Sequence, residues 1–557
     1  MTAATYERAA PIRAPAVPWR EVLIAAGLTA LVGGLLLALG PAPGDAPAHL
    51  YRTLLVRDGS LVWDNLWYAG QYPLASYSLL YYLPAALVGN LPLVVAGAVL
   101  STVLFATIAY RTWELAALWP VRLFGVFAAA PLFTGLYSYS LGFAALLGAL
   151  RALQARRAPL GILLAVLTLG LSPLAFVFLC LVLFALVLAE RRLTARVAVV
   201  AAALGLIGAA QLAVLHLFPS PGRYPFSWVD LVAVIAVCST GAILANGADR
   251  GHMIKAFFVV WGLGSIVAFL ASTPIGDNWT RLREFVFPLM LLTATLARFR
   301  PRRLAIFALA GALAYNLVPF LMLVPYRLDS RPERAAFWAP ATAYIRAHSG
   351  PNYRVEVVPT AAHWEAYWIP RGGLPLARGW YRQLDIVDNP LLYGGQLTGP
   401  LYRHWLRRLG IKYVVLPATK LDFVAAPAEA RLLRSASSGL RPVFRNATTT
   451  IYELANAAPL LSGSAVAQIT SFGHTTVAGQ VTAPGRYLLR VRYNPYWSGP
   501  TRSYCVRATA NGMTELVMRK PGSFALTVPN GFESLFHSLT SAGELRCPTG
   551  AATRLGR

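Results

Sequence analysis

From Glu21 to Val324 the chain is a succession of long uncharged apolar runs. Each is long enough to cross the roughly 30 Å of hydrocarbon in a bilayer. Read in order they predict about eleven spans, near 22–40, 84–110, 121–137, 138–152, 158–172, 173–189, 194–218, 229–248, 254–272, 284–299 and 303–324. After Tyr326 the pattern changes to short alternating stretches, Gly/Pro turns and frequent charges. Arg331–His348 has helical spacing, Tyr353–Val358 and Lys412–Leu416 read as strands, and from about Ala465 onward strands such as Gly485–Tyr493 predict a β-sandwich. The expected fold class is a polytopic α-helical membrane domain, 1–324, followed by an extracytoplasmic domain that is mixed α/β over 325–460 and β-rich over 461–557.

Composition agrees with this division: 57% of the residues are hydrophobic and only 13% are charged, about half the charged fraction of a soluble domain. A net charge of +26 would suggest nucleic acid in a soluble protein. Here the cations sit in short loops between apolar runs, so no nucleic-acid partner is expected. Arg8, Arg13 and Arg20, Arg111 and Arg122, Arg151, Arg156 and Arg157, Arg191, Arg192 and Arg196, Arg250 and Lys255, and Arg298, Arg300, Arg302 and Arg303 fall on one side. Arg52, Arg57, Arg223, Arg281 and Arg283 fall on the other. This bias predicts an N-terminus inside and, after an odd number of spans, a C-terminal domain outside. The run Val22–Leu39 lacks a small-residue cleavage site and reads as a retained first helix. Cys180 and Cys238 lie within spans, whereas Cys505 and Cys547 fall in the outer domain, where an oxidising compartment permits a disulfide.

The outer loops are unequal, and the long first one, 41–82, gathers the polar residues. Asp45, His49 and Arg52 fall on one face of a short helix, a carboxylate, an imidazole and a guanidinium at the membrane surface. Capping by Asp45 of that helix is the plainer alternative. The following WDNLWYAGQYP, 63–73, combines ring faces with Asp64, Asn65 and Gln71, a composition suited to stacking and hydrogen-bonding a sugar. Its aromatics would equally anchor at headgroup level. Arg281 and Arg283 precede a late span on the side where cations are scarce, which points to a phosphate partner. In the outer domain Trp364, Glu365, Trp380, Arg382 and Asp385 form a second cluster, either a carbohydrate platform or packing against the bilayer.

An Asp opening the first outer loop, the WDNLWYAGQYP stretch, the SPLAF turn at 172–176 and RLREF at 281–285 together resemble the integral-membrane GT-C glycosyltransferases. Within them the likeness is to a bacterial branch labelled 6-pyruvoyl-tetrahydropterin synthase-related, a label that implies no pterin chemistry. The resemblance spans about 20–330. It implies transfer of a sugar from a polyprenyl-phosphate donor to an envelope glycan, lipid or protein acceptor at the outer face of the inner membrane. It also implies that Asp45 is the general base. Ala46 stands where many relatives have a second acid, and Ser172-Pro173 where they often have His-Pro. A divalent metal is compatible with this chemistry, but no metal-ligand set is assigned. Two other functions compete: a lipid or glycan transporter, against which stands the lack of a clear internal repeat, and a non-catalytic polysaccharide-assembly protein.

Overall fold

The computed structural model describes residues 16–40, 43–73, 77–248, 250–271, 273–297, 302–327, 329–500, 503–529 and 544–548. Arg8, Arg13, Arg298 and Arg300 of the predicted inner loops lie outside the described residues.

Among the described residues, five helices are long and apolar enough to cross a membrane: Trp19–Leu39, Asn90–Thr134, Pro173–Glu190, Ala195–Leu217 and Gly251–Leu270. Ala158–Leu171 and Trp228–Leu244 are apolar but shorter. Other expected spans fall on helices that are shorter or less apolar, among them Tyr137–Gln154, Val286–Ala297 and Arg302–Arg327, and some apolar runs hold interrupted helices. The run expected over 84–110 opens with a separate turn of helix, Tyr82–Val88, ended by Gly89 at φ 88°. The run expected over 121–137 breaks into Leu118–Phe127 and Ala130–Thr134 and stops at Gly135, at φ 86°. The helix Val286–Ala297 is preceded by a tighter 3₁₀ segment, Gly276–Phe285, that takes up the first residues of an expected span.

Side-chain contacts fix how these helices meet. Arg122 donates to Glu21 at 2.6 Å, joining the Leu118–Phe127 helix to the first. Phe285 stacks on Phe124 at 5.0 Å and on Phe143 at 4.3 Å, which seats the 3₁₀ segment against the helical core. Ser172 caps the helix Pro173–Glu190, its hydroxyl accepting from the Ala175 amide at 3.3 Å. Proline in the first turn costs that helix no hydrogen bond. The Ser-Pro turn is thereby explained by local structure.

The C-terminal part is β-rich. Strands β1 (Arg354–Val357), β2 (Ile411–Pro417), β3 (Arg441–Arg445) and β4 (Thr449–Glu453) form one sheet in the order β1-β2-β4-β3. Its only parallel pair among the described strands, β1 and β2, is linked through the helix Gly399–Leu409, as a parallel connection requires. Seven further strands follow: β5 (Leu461–Gly463), β6 (Ala467–Phe472), β7 (Thr476–Val481), β8 (Gly485–Arg492), β9 (Tyr504–Ala508), β10 (Met513–Met518) and β11 (Gly522–Thr527). They make two sheets, β5-β8-β10-β9 and β11-β7-β6. Ile469, Val477 and Phe524 of one sheet and Tyr487, Leu489, Val506 and Leu516 of the other share one buried core. Alternation in β8 turns Tyr487, Leu489 and Val491 into that core. Cys505 and Cys547 are joined by a disulfide, while Cys180 and Cys238 are free within helices.

The stretch 63–73 is buried between these parts. Trp63 enters the sandwich core, Trp67 and Tyr68 pack with Trp338 and Ile369, and Ala69 reaches the core behind β2. Leu66 accepts from the Leu376 amide at 2.8 Å, and Ala69 from the Arg492 amide at 2.7 Å. One loop of the helical domain therefore wedges into the C-terminal domain at several levels.

Candidate functional site

Asp45 precedes the helix Ala46–Arg57, with Pro47 in its first turn. It stands at the capping position but makes no side-chain capping bond, so that role does not occupy its carboxylate. The loop is held by its backbone: the Asp45 amide donates to Thr134 at 3.2 Å. Gly135 closes in beneath, and a Cβ there would come within 2.8 Å of the Asp45 and Ala46 nitrogens. A left-handed glycine is what lets the two segments approach this closely. Arg281 reaches the same carboxylate from the 3₁₀ segment, its Nη2 3.7 Å from Oδ2 of Asp45. Asn278 orients that guanidinium, accepting from its Nε at 2.8 Å. Both partners of the ion pair keep about a fifth to a quarter of the side chain exposed.

One and two turns along the helix lie His49 and Arg52, both buried. Nδ1 of His49 is 2.9 Å from the Tyr82 hydroxyl. Burial, and then the charges of Arg52 and Arg281, push its imidazole down to about 3. Burial among cations disfavours its charged form and favours the neutral imidazole. The Arg52 guanidinium lies 4.6 Å from the ring centre of Tyr381, 4.9 Å from Tyr77 and 5.8 Å from Tyr82. Among the described residues its Nε and Nη1 have no hydrogen-bond partner. Burying a guanidinium without hydrogen-bond acceptors is costly, and ring faces offset only part of that cost.

The C-terminal domain supplies the remaining wall. Nε1 of Trp380 donates to the carbonyl of Gly44 at 3.4 Å, directly beside Asp45. Tyr381 follows it in sequence and faces Arg52. Tyr224, from another loop of the helical domain, is half-buried within the electrostatic reach of Arg382, Arg281 and Asp45, and desolvation pushes its hydroxyl up.

Other expected site residues are engaged elsewhere. Asp64 is fully buried and accepts from the Tyr51 hydroxyl at 3.0 Å and the Leu66 amide at 3.1 Å, with His474 Nδ1 at 2.9 Å. Asn65 accepts from Trp63 and donates to the Gly473 carbonyl. Gln71 pairs its backbone with Asp64 and is 7% exposed. The expected open sugar-binding stretch is therefore corrected to an internal joint; aromatic and amide residues suit a dry core as well as a sugar. Glu365 accepts from Thr360 and lies 3.2 Å from His363, and Trp364 beside it is buried. Arg382 pairs with Asp422 at 2.7 Å. Asp385 is clasped by Arg378, Asn389 and Tyr393. Of that second cluster, Trp380 alone reaches the Asp45 loop among the described contacts. Arg283 acts together with Arg281 on Asp277 and Glu284, and also on Tyr315 of the helix Arg302–Arg327.

Tyr77, Tyr82 and Tyr224 were not singled out by sequence reasoning. The density of tyrosines over 77–82 is a signal for the first two, since tyrosines commonly line cation sites. Among the described residues, no three His, Cys, Asp or Glu side chains stand close enough together to hold a metal ion.

No family model matches the chain, and no curated protein matches it in sequence. Among solved structures it is similar to single-particle cryo-EM structures of arabinofuranosyltransferase AftD from Mycobacteria. For a mutant form the identity is 19% and the TM-score 0.48, over 79% of this chain and 42% of that one. For a second structure the identity is 14% and the TM-score 0.43, over 93% of this chain and 58% of that one. The chain spans about half the length of these neighbours, and at such scores the likeness carries no weight in assigning the site.

Proposed function

We propose that the chain is a membrane glycosyltransferase that moves a sugar from a polyprenyl-phosphate donor to an envelope acceptor on the outer face of a bacterial inner membrane. The observation that carries this reading is a part-exposed carboxylate, Asp45, paired loosely with Arg281 at the start of the short helix that bears Arg52. Arg52 is buried, and its Nε and Nη1 lack partners among the described residues. Seven residues of helical rise place Asp45 and Arg52 roughly 10 Å apart along the axis, room for one sugar ring between them.

In the proposed reaction Asp45 takes the proton of the acceptor hydroxyl as its oxygen bonds to the anomeric carbon. The bond from that carbon to the phosphate oxygen breaks with its electron pair, and the lipid phosphate leaves toward Arg52. Base on one side and cation on the other favour direct displacement with inversion, as in inverting glycosidases. Arg281, with its Nη2 3.7 Å from Oδ2, orients Asp45. The neutral His49 between them offers a hydrogen bond to a sugar hydroxyl without adding charge. The charge bias of the loops supports an N-terminus inside and the outer domain outside, which puts this site on the side where lipid-linked sugars are presented.

The test is transfer from a panel of polyprenyl-phosphate sugars by the full chain in proteoliposomes, comparing wild type with Asp45→Asn. Loss of transfer with donor binding retained supports the reading. Transfer by Asp45→Asn at the wild-type rate removes Asp45 as base, and no transfer by wild type with any donor counts against the enzyme.

A further inference from the structure

The box around Arg52 is not built by the helical domain alone. Tyr77 and Tyr82 belong to the first outer loop and the helix turn after it, but Tyr381 stands at the entry to the helix Arg382–Asp388 of the outer domain. At 4.6 Å its ring is the nearest of the three to the guanidinium. Tyr381 is 8% exposed and held on several sides. Its carbonyl accepts from the Tyr68 hydroxyl at 3.0 Å, and its ring meets Trp67 edge-on at 5.9 Å. The neighbouring Trp380 bonds to Gly44, so the same turn of the outer domain touches both the loop that carries Asp45 and the buried cation.

A guanidinium stays charged at any working pH, and ring faces offset only part of the cost of burying it. Rings stacked on the guanidinium plane leave its N–H groups pointing out along the edge, where an oxyanion can accept them. The Cζ of Arg52 lies over the Tyr381, Tyr77 and Tyr82 rings, and its Nε and Nη1 are free of partners among the described residues.

We propose that Tyr381 is a positioning residue of the phosphate site. Its ring face holds Arg52 with the N–H edge turned to a phosphate oxygen, so phosphate binding requires the outer domain seated on the helical domain. This rests on the reading of Arg52 as the donor-phosphate ligand. The ligand chemistry is a phosphate oxyanion, carried on a lipid or free.

The experiment measures binding of polyprenyl monophosphate, and separately of inorganic phosphate, to the full chain in nanodiscs. Tyr381→Phe keeps the ring face and is expected to bind as wild type. Tyr381→Leu and Tyr381→Gln remove it and are expected to weaken binding about tenfold. Whichever of these two keeps the wild-type thermal midpoint serves as the test. A rank order seen with both probes identifies a site for the bare anion; one seen only with the lipid identifies a headgroup site, and either supports the proposal. Wild-type binding by the ring-less variants overturns it, as does Tyr381→Phe binding as weakly as they do. Arg52→Gln separates the two levels. Weak binding by Arg52→Gln beside normal binding by the ring-less variants overturns the role of Tyr381 alone. Normal binding by Arg52→Gln overturns the phosphate reading beneath it.

Discussion

Arg281 Nη2 stands 3.7 Å from Asp45 Oδ2, joining the start of the helix Ala46–Arg57 to the 3₁₀ segment before a late apolar helix. At that distance the contact is an ion pair longer than a hydrogen bond. Replacing Arg281 by Gln is predicted to lower kcat/KM for sugar transfer by roughly a hundredfold, the usual scale for removing one electrostatic partner of a reacting group. Lys at this position should restore part of it. Steady-state kinetics in proteoliposomes checks this, and an unchanged kcat/KM for the Gln variant would separate Arg281 from the chemistry.

His363 lies between Glu365, at 3.2 Å, and Asp422, at 3.3 Å. Burial alone would lower its imidazole, but hydrogen bonds and charge from Asp422 and Glu365 push it up to about 9 from an ordinary value of 6.5. The folded state therefore binds this proton more tightly than the unfolded chain does. Its contribution to stability is whole below about pH 6.5 and is lost as pH rises through about 9. The thermal midpoint of the outer domain should fall across that window, and His363→Asn should flatten the slope. An equal slope in wild type and variant contradicts the assignment.

Arg378 faces Asp385, Glu356 and Glu429 in an interior where all four side chains are almost wholly buried. Removing the cation leaves buried carboxylates uncompensated, so Arg378→Ala should destabilise the outer domain by about 3–5 kcal/mol. Asp385→Asn should act in the same assay, lowering folded yield and thermal midpoint and leaving kcat per folded molecule intact. A reduced kcat with unchanged stability would instead place Asp385 among substrate contacts.

The disulfide Cys505–Cys547 ties β9 to a segment 42 residues later, and the Cys547 amide donates to Val506 at 3.0 Å. Closing a loop of that size contributes about 2–4 kcal/mol. Paired Ser substitutions, or reduction, should lower the unfolding midpoint of the sandwich accordingly. Non-reducing peptide mapping of the untreated protein should recover the two cysteines joined.

A helical domain followed by a β-rich one is legible in the sequence because run length and alternation report burial in lipid and in a sheet. Helix interruptions at Gly89 and Gly135 are not, since apolar content is the same on both sides of each break. The spacing of Asp45, His49 and Arg52 along the chain is enough to put the three on one helix face. Arg281 is flagged by its side of the membrane, but its pairing with Asp45 depends on how distant loops pack. The stretch 63–73 misleads because a sugar platform and an interdomain wedge share a composition and differ only in exposure. Tyr381 stays hidden as an Arg52 contact because its partner comes from the other domain.

The most direct measurement is sugar transfer by Asp45→Asn in proteoliposomes carrying a donor that wild type uses, with donor binding followed in the same sample. The account predicts retained binding and transfer reduced by at least about a hundredfold, since the amide keeps the shape of the carboxylate but cannot take the acceptor proton. Transfer at the wild-type rate with an intact amide at position 45 would contradict it.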